Sequence, residues 1–456
     1  MGDGMKAKEI IERGLFWLAD EVVPERHFAP GSAIWGTLLV GPDGKSSLEL
    51  DGVFPRSKET SRSPFDPWPT ECAIVGQLKG TGSYVRMQQV MSNGTQWRTQ
   101  APSFEKFMAS SCLVGDKAGD MSVAGPGPNP CYLSIQVSLE GFEPWLGLKS
   151  AATKKTPDGL IAQYQQPKDH FYNLKEGSLE IRVELTPSRG DHTSSLTITQ
   201  RGLLTYTSRD AMSLDKVKEV TSRIEDLLIL LTDCERGLDW PQIRVNGQAG
   251  WHTLYYSRTA RPGSEMSARE CWTKFPRLAA DFGNIFDAWF AKHELLGSGF
   301  YLYLGNRRGL HLYEENRFVN LVWGLEALHR RTQTQRAAKP TLSDRLNEIF
   351  SQLPWDLNAE ALKAFSVDCA KRRNDISHFG GPRATEKYRE LLDDLWRLTE
   401  ALDPLYHASI LRVIGVPDDQ IRWIFTEGPA HGERTTTALE AVGLNLPPRA
   451  TESPDA

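Results

Sequence analysis

Several features that would mark a membrane, secreted or metal-binding protein are missing from this sequence. No window approaches about 18 uncharged apolar residues, and the N-terminus has no apolar segment typical of a signal peptide. The six cysteines are scattered, without a C-x-x-C pair or histidines at zinc-finger spacing. We therefore expect free thiols in a reducing compartment, no membrane span, no metal or other cofactor, and a cytoplasmic location.

The chain also lacks a large excess of either charge. Its 456 residues include 53 Lys and Arg against 58 Asp and Glu, a formal net charge of -5. This balance excludes a nucleic-acid binder that works through bulk positive charge, but it leaves room for a local basic site. Hydrophobic residues make up 40% of the chain, which excludes disorder throughout, and the length predicts two or three domains.

The first half of the sequence reads as β-rich. Two alternating apolar runs between Trp35 and Leu50 flank the turn Gly41-Pro42-Asp43-Gly44, a pattern that predicts a hairpin. Turn-forming residues separate further short runs, which indicates an antiparallel sandwich or barrel. These further strands are expected at 72–78, 132–139, 179–185 and 195–206. The Gly- and Pro-rich segment 115–130 is expected to be a surface loop.

Helical periodicity begins near Asp215 and, after a strand-like interruption at 242–256, dominates from Arg277 to Phe425. Amphipathic segments joined by short connections predict a helical bundle. We therefore predict an α+β multidomain chain, in which an antiparallel β-rich domain precedes an all-α bundle. Its predicted parts are the β-rich domain at 14–270, a connecting helix at 271–300, the bundle at 301–428 and a flexible tail at 429–456.

One constellation near the C-terminus combines chemically useful residues. The sequence CAKRRNDISHFGGPR runs from Cys369 to Arg383, on a predicted helix that Gly380-Gly381-Pro382 would end. Arg373 and His378 lie about one and a half turns apart in this segment. The spacing alone also fits two cations that decorate a helix C-terminus, where the dipole favours positive charge.

The segment RNDISH resembles the R-N-x-x-x-H motif of HEPN-domain ribonucleases, and the chain more broadly resembles the ApeA-like abortive-infection proteins. ENRFVNLVWGLEALHRR, from Glu315 to Arg331, is similar to a helix that precedes the motif in that family. IWGTLLVGPDGKSSLELDGVF, from Ile34 to Phe54, is similar to the start of its N-terminal domain. The resemblance implies a C-terminal HEPN domain behind a β-rich, regulatory N-terminal domain.

The resemblance also implies RNA cleavage without a metal, in which the ribose 2′-OH attacks the adjacent phosphorus. An imidazole can move protons near neutral pH, and a guanidinium matches the charged phosphate oxygens, so His378 would transfer protons and Arg373 would stabilise the transition state. Asn374 would orient one of these groups, and Arg372 and Lys371 would bind substrate. A solvent-facing role is the alternative for Asn374.

Glu315 and Glu326 lie on the preceding helix, where HEPN domains often carry a polar residue facing the site, although ordinary surface carboxylates are the simpler explanation. The expected partners are RNA, with tRNA among the candidate targets, a phage-derived trigger expected to be a protein, and a second copy of the chain in a HEPN homodimer. Leu391, Leu395 and Leu398 could serve that dimer or the core of the bundle. The alternatives are a non-catalytic HEPN adaptor that binds RNA, nucleotide or protein, and a carbohydrate-binding β-rich domain.

Overall fold

The computed structural model describes the greater part of both predicted domains. The described residues are 9–54, 72–96, 103–116, 130–147, 151–189, 196–234, 237–247, 250–258, 271–307, 313–332, 339–377, 385–428 and 431–446. They form two compact units, the first made of 1–140, 168–222 and 237–263, and the second of 141–167, 223–236 and 264–456. The chain thus crosses between units several times, whereas the sequence predicted a single division near residue 270. Most of the predicted loop at 115–130 lies outside the described residues.

The strands of the described residues, given in chain order, alternate buried and exposed side chains along much of their length. They are β1 (Ile10–Leu18), β2 (Ile34–Val40), β3 (Ser46–Leu50), β4 (Ile74–Leu78), β5 (Tyr84–Gln96), β6 (Phe104–Gly115), β7 (Tyr132–Ser138), β8 (Ala151–Thr156), β9 (Gly159–Tyr164), β10 (His170–Leu174), β11 (Gly177–Arg189), β12 (Leu196–Met212), β13 (Gln242–Val245) and β14 (His252–Tyr256). All strand pairings recorded among them are antiparallel, as the sequence predicted.

Six strands of the first unit close into a barrel. They run in the order β6-β3-β2-β1-β4-β5, and β5 pairs back onto β6. The predicted hairpin forms β2 and β3, with the Gly41 N–H donating to the Lys45 carbonyl at 2.9 Å. Apolar side chains fill the interior, among them Phe16, Leu38 and Val85. Closure leaves no open edge between these six strands, so their backbone polar groups are paired without a second sheet.

The remaining strands of the first unit extend the sheet from one edge of β6. Along that edge, residues Glu105 to Ala109 of β6 pair with β3, and residues Ser111 to Gly115 of β6 pair with β14. From β14 the sheet continues in the order β13, β7, β12, β11 and β10. The β-rich part is therefore a barrel with a sheet attached, which refines the predicted choice between sandwich and barrel.

The helices of the described residues lie mainly in the second unit. They are α1 (Glu143–Leu146), α2 (Leu214–Thr232), α3 (Phe275–Leu278), α4 (Phe282–Arg307), α5 (Glu314–Thr332), α6 (Leu342–Phe350), α7 (Ala359–Ser377), α8 (Thr385–Val413), α9 (Asp418–Arg422) and α10 (Gly432–Glu440). Helix α5 is central, since it packs against α4, α6, α7 and α8. The predicted C-terminal helical domain is confirmed. No helix within the described residues is long and apolar enough to span a membrane.

Two details of the second unit differ from the prediction. Helix α4 continues past residue 300 into the predicted bundle, with a kink at Gly297, where φ is 74°. The predicted flexible tail instead contains α10, and both Leu439 and Leu444 are completely buried. The prediction of a tail is therefore wrong for these residues, because burial of Leu439 in α10 and of Leu444 just after it anchors an otherwise polar segment.

Candidate active site

Helix α7 carries the predicted catalytic segment and turns its arginines partly inward. Leu362, Phe365 and Cys369 are buried at helical spacing, and Arg372 and Arg373 occupy the positions three and four residues further along the chain. Their side chains are accordingly only 27% and 22% exposed. The sequence pattern that forms the core of α7 thus also fixes the direction of both guanidinium groups.

Arg373 is held by a carboxylate of the neighbouring helix α5. Its Nη2 donates to Glu326 Oε2 at 2.9 Å, and its Nη1 donates to Asn374 Oδ1 at 2.9 Å. A guanidinium has five N–H donors, so these two bonds leave further hydrogens on both terminal nitrogens. The oxygen of Asn374 is occupied by Arg373, which leaves its amide nitrogen to donate elsewhere.

Glu326 brings three guanidinium groups together. Its Oε1 accepts from Arg330 Nη2 at 2.7 Å and from Arg330 Nε at 3.2 Å, and it also pairs with Arg345 of α6. Partial burial opposes ionisation of the carboxyl, but the hydrogen bond and charge of Arg330, with the charges of Arg373 and Arg345, outweigh it and lower the pKa of Glu326. Three arginines therefore share one ionised carboxylate, and the cluster keeps a net positive charge.

The two remaining predicted residues of α7 have different surroundings. Arg372 pairs with one oxygen of Asp394 on α8, and the other oxygen of Asp394 pairs with Arg397. The Nε of Arg372 also lies 3.9 Å from Asp368 Oδ1. Lys371 is exposed and forms no ion pair with another residue of the described ranges. Arg372 thus links α7 to α8, whereas the ammonium group of Lys371 is open to solvent.

His378 lies outside the described residues, as does the predicted Gly380-Gly381-Pro382 stop. Helix α7 ends at Ser377, the residue before it. The structure therefore brings Arg373 together with Asn374 and Glu326, and the place of His378 beside them stays a prediction.

Sequence reasoning considered Glu326 and missed Arg345. The sequence does not distinguish Glu326 from Glu315, but in the structure Glu315 accepts from the Tyr388 hydroxyl, whereas Glu326 accepts from Arg373. The i, i+4 spacing of Glu326 and Arg330 could have favoured Glu326. Arg345 lies 19 residues further along the chain, on another helix, so no local pattern could reveal its contact.

Apolar side chains on α8 separate into core and surface groups. Leu391, Leu395 and Leu398 are at most 8% exposed, so they pack in the helical core. Tyr388 and Trp396 of the same helix are 46% and 54% exposed. The three leucines are therefore accounted for within one copy of the chain, and the exposed aromatic rings are the apolar groups of α8 that a second copy could contact.

No set of three or more His, Cys, Asp or Glu side chains suited to a metal ion occurs in the described part of the chain. All six cysteines are free, as predicted, and only Cys131 is exposed.

Comparison with protein-family models gave two matches. ApeA N-terminal domain 1 matches residues 12–289, which is more than half of the chain, and the Apea-like HEPN model matches residues 319–420. The second match includes Glu326, Arg345 and Arg373. Neither the curated proteins nor the solved structures gave a match.

Proposed function

The chain belongs to the ApeA family and has an Apea-like HEPN domain, and from this premise we propose that it is a metal-independent endoribonuclease of anti-phage abortive infection. The observation that supports this most is the 2.9 Å bond from Arg373 to Glu326, which orients a partly buried guanidinium near the end of α7. An arginine serving only to complement a helix dipole would not need a partner on another helix.

In the proposed reaction, the ribose 2′-OH attacks phosphorus and the 5′-oxygen leaves. His378 exchanges protons with these oxygens, since an imidazole changes charge near neutral pH. Arg373 donates its remaining N–H groups to the non-bridging oxygens as their negative charge grows. The products are a 2′,3′-cyclic phosphate and a 5′-OH, and DNA resists because it lacks the attacking hydroxyl.

The neighbouring residues take supporting roles in this proposal. The amide nitrogen of Asn374 donates to the scissile phosphate or to His378, because its oxygen is engaged by Arg373. Lys371, which is exposed, contacts the RNA backbone. Arg372 orients α7 through its pair with Asp394 and leaves direct contact with substrate to the other two cations.

A homodimer through the HEPN domain would double these groups. One chain supplies one motif, and a complete acid–base cycle needs both a base and an acid. Two motifs facing each other would provide both. Trp323 on α5 and Trp396 on α8 are 45% and 54% exposed, and they are suitable apolar contacts for this second copy. The β-rich domain would restrain the nuclease until a phage-derived protein arrives, as an unrestrained ribonuclease would poison its own cell.

Cleavage of tRNA by the full-length protein tests the activity. We would incubate it with total tRNA or single-stranded DNA in excess EDTA, with and without extract of phage-infected cells. Arg373→Ala and His378→Ala should each reduce RNA cleavage by at least about 100-fold. Arg422→Ala is the matched control, because Arg422 is exposed and its guanidinium Nε donates to a backbone carbonyl.

Three results would contradict the proposal. Cleavage by His378→Ala at the wild-type rate would remove the assigned proton-transfer group. Loss of cleavage in EDTA that returns with a divalent cation would contradict the metal-independent route. Absence of cleavage by the wild type in the infected extract, together with RNA binding that requires Arg373, would favour the non-catalytic adaptor.

A further inference from the structure

The glutamate that holds Arg373 also holds a more exposed arginine of its own helix. Arg330 lies one turn after Glu326 on α5, and its Nη2 and Nε donate to Glu326 Oε1 at 2.7 and 3.2 Å. Arg373 Nη2 donates to the other oxygen, Oε2, at 2.9 Å. The guanidinium groups of Arg330 and Arg373 therefore lie close together, one at each oxygen of a single carboxylate.

The cluster around this carboxylate has more positive charge than one phosphate can balance. The guanidinium groups of Arg330, Arg345 and Arg373 surround the ionised Glu326, and three positive charges less one negative charge leave two. An RNA strand carries one negative charge at each phosphate, so the scissile phosphate would offset only one of the two. The second positive charge suits a neighbouring phosphate of the same strand.

Exposure to solvent distinguishes Arg330 as the group for this second phosphate. Its side chain is 61% exposed, whereas the side chains of Arg373 and Arg345 are 22% and 14% exposed. Arg345 is thus largely enclosed by the helices, and Arg373 belongs to the proposed catalytic motif. Arg330 uses Nε and one hydrogen of Nη2 on Glu326, so Nη1 and the second hydrogen of Nη2 are left to donate.

An ordinary surface ion pair is the alternative explanation of the i, i+4 contact between Glu326 and Arg330. In such a pair both side chains are exposed, and neither holds the other firmly in place. Here the side chain of Glu326 is only 13% exposed and also pairs with arginines of α6 and α7. Arg330 therefore reaches into solvent from a fixed anchor, which reduces the conformational entropy that it would lose on binding a ligand.

We propose that Arg330 binds the phosphate next to the scissile one, on the strand that Arg373 and His378 cleave. The inference rests on the proposed nuclease function and adds a substrate requirement to it, namely an RNA strand that continues past the cleaved bond. Arg330 is a substrate-binding residue in this arrangement, because the phosphate that it contacts takes no part in the reaction. Its contact would hold the strand so that the scissile phosphate lies against Arg373.

Tetranucleotides that can be cut at one bond only test the inference. They would have the bases of the tRNA site cut by the wild type, a free 2′-OH only beside the central linkage, and 2′-O-methyl groups elsewhere. In a second version, methylphosphonates without charge replace both outer phosphates. For the full-length wild type, kcat/KM should be at least about tenfold higher on the charged version, because each outer phosphate can accept a charge-assisted hydrogen bond. This ratio should be at least about fivefold smaller for Arg330→Gln.

Arg331→Gln is the matched control, the same change at the next residue of α5. The Nη1 of Arg331 donates to the Glu294 carbonyl at 3.2 Å, so this arginine is directed elsewhere, and its variant should keep the wild-type ratio. An equal ratio in Arg330→Gln and the wild type would overturn the inference. If that variant lost the same activity on both versions, Arg330 would be a positioning residue acting through Glu326.

Binding of a single strand with 2′-O-methyl groups at every ribose, measured by fluorescence anisotropy, judges the inference without cleavage. Arg330→Gln should reduce the slope of log affinity against log salt concentration by about 0.7, the value for one phosphate contact with a single strand. Absence of binding, or an unchanged slope, would overturn the inference even if the wild type cleaves tRNA. A reduced slope would support it even if His378→Ala cleaved normally, so the two proposals can fail separately.

Discussion

Replacing Glu326 with glutamine should slow RNA cleavage while leaving RNA binding equal or tighter. Glu326 is expected to act as a positioning residue, since it bonds to Arg373 at 2.9 Å and its side chain is only 13% exposed. Glutamine has nearly the same shape but no charge and only one acceptor oxygen, so the contact that fixes the direction of Arg373 would weaken. The local positive charge would rise by one, which favours the approach of a polyanion.

The size of this effect can be bounded from the contacts. A displacement of about 1 Å in a catalytic group can cost about 100-fold in rate, so we expect kcat to fall by about 10- to 100-fold. Stability should fall by roughly 1–3 kcal/mol, because the half-buried Arg345 and Arg373 would lose a charged acceptor. Arg330 adds little to this loss, since its side chain is 61% exposed.

The assay is steady-state cleavage of tRNA by the full-length protein, with kcat and KM measured separately. Glu326→Asp keeps the charge, so its kcat should lie between the values of Glu326→Gln and the wild type. A purely structural role of Glu326 does not predict a higher kcat for Glu326→Asp than for Glu326→Gln. Glu315→Gln is the matched control, the same change on the same helix at a carboxylate that bonds to Tyr388 instead. Equal kcat in Glu326→Gln and wild type, or an equal loss in Glu315→Gln, would refute the reasoning.

The acid limb of the stability curve gives an independent reading of the same carboxylate. In the folded chain the pKa of Glu326 is below its ordinary value of 4.5. A lowered pKa contributes stability that is complete above this ordinary value and disappears as the pH falls through the folded value. The difference in unfolding free energy between wild type and Glu326→Gln should therefore be constant from about pH 7 to pH 5 and shrink below 4.5. If the difference in unfolding free energy grew on acidification instead, the pKa of Glu326 would be raised in the folded chain, which would contradict this prediction.

Three further predictions concern packing and exposure. Gly44→Ala should lower the free energy of unfolding, measured in denaturant, by several kcal/mol, whereas Gly247→Ala should lower it by about 1–2 kcal/mol. Both glycines have φ near +78°. A Cβ at Gly44 would lie 2.2 Å from a carbonyl oxygen, whereas a Cβ at Gly247 would have no neighbour within 4 Å. Equal costs would contradict this. Gly324→Ala should lower stability by about 1–3 kcal/mol in the same assay, as its Cβ would lie 2.6 Å from a tyrosine hydroxyl, and a neutral result would count against it. Alkylation of the native protein near pH 8 should label exposed Cys131 and spare Cys112, where burial raises the thiol pKa to about 12; mass spectrometry would reveal the reverse order if this is wrong.

Local patterns predicted most of the elements, because each pattern is set by residues close together in the chain. The hairpin from Trp35 to Leu50 was found from its turn and alternation, and the segment from Ala359 to Ser377 from its helical period. Closure of the barrel was not predictable in this way. It depends on β5 pairing with β6, and on β3 and β14 sharing the other edge of β6, and no local pattern records which strands meet.

The same limit applies to the site. Arg373 and Asn374 were identified because they are adjacent in a short motif, but the partner that holds Arg373 lies 47 residues earlier. Asp394, which engages Arg372, is likewise 22 residues distant. The sequence therefore indicates which groups could bind phosphate, whereas only the packing of the helices shows that Arg373 pairs with Glu326 and Arg372 with Asp394.

In the proposed nuclease, the carboxylate beside Arg373 sets two requirements of RNA cleavage against each other. Glu326 offsets part of the positive charge that would otherwise attract phosphate. An arginine without a fixed partner, however, would be poorly oriented and would lose conformational entropy when substrate binds. Sharing one carboxylate among Arg330, Arg345 and Arg373 reconciles the two, because every guanidinium is positioned while the cluster keeps a net positive charge. Further affinity for RNA would then come from cations outside this cluster that no carboxylate of the described residues engages, such as the exposed Lys371. This division would allow the proposed nuclease, whose formal net charge is -5, to present a site for a polyanion.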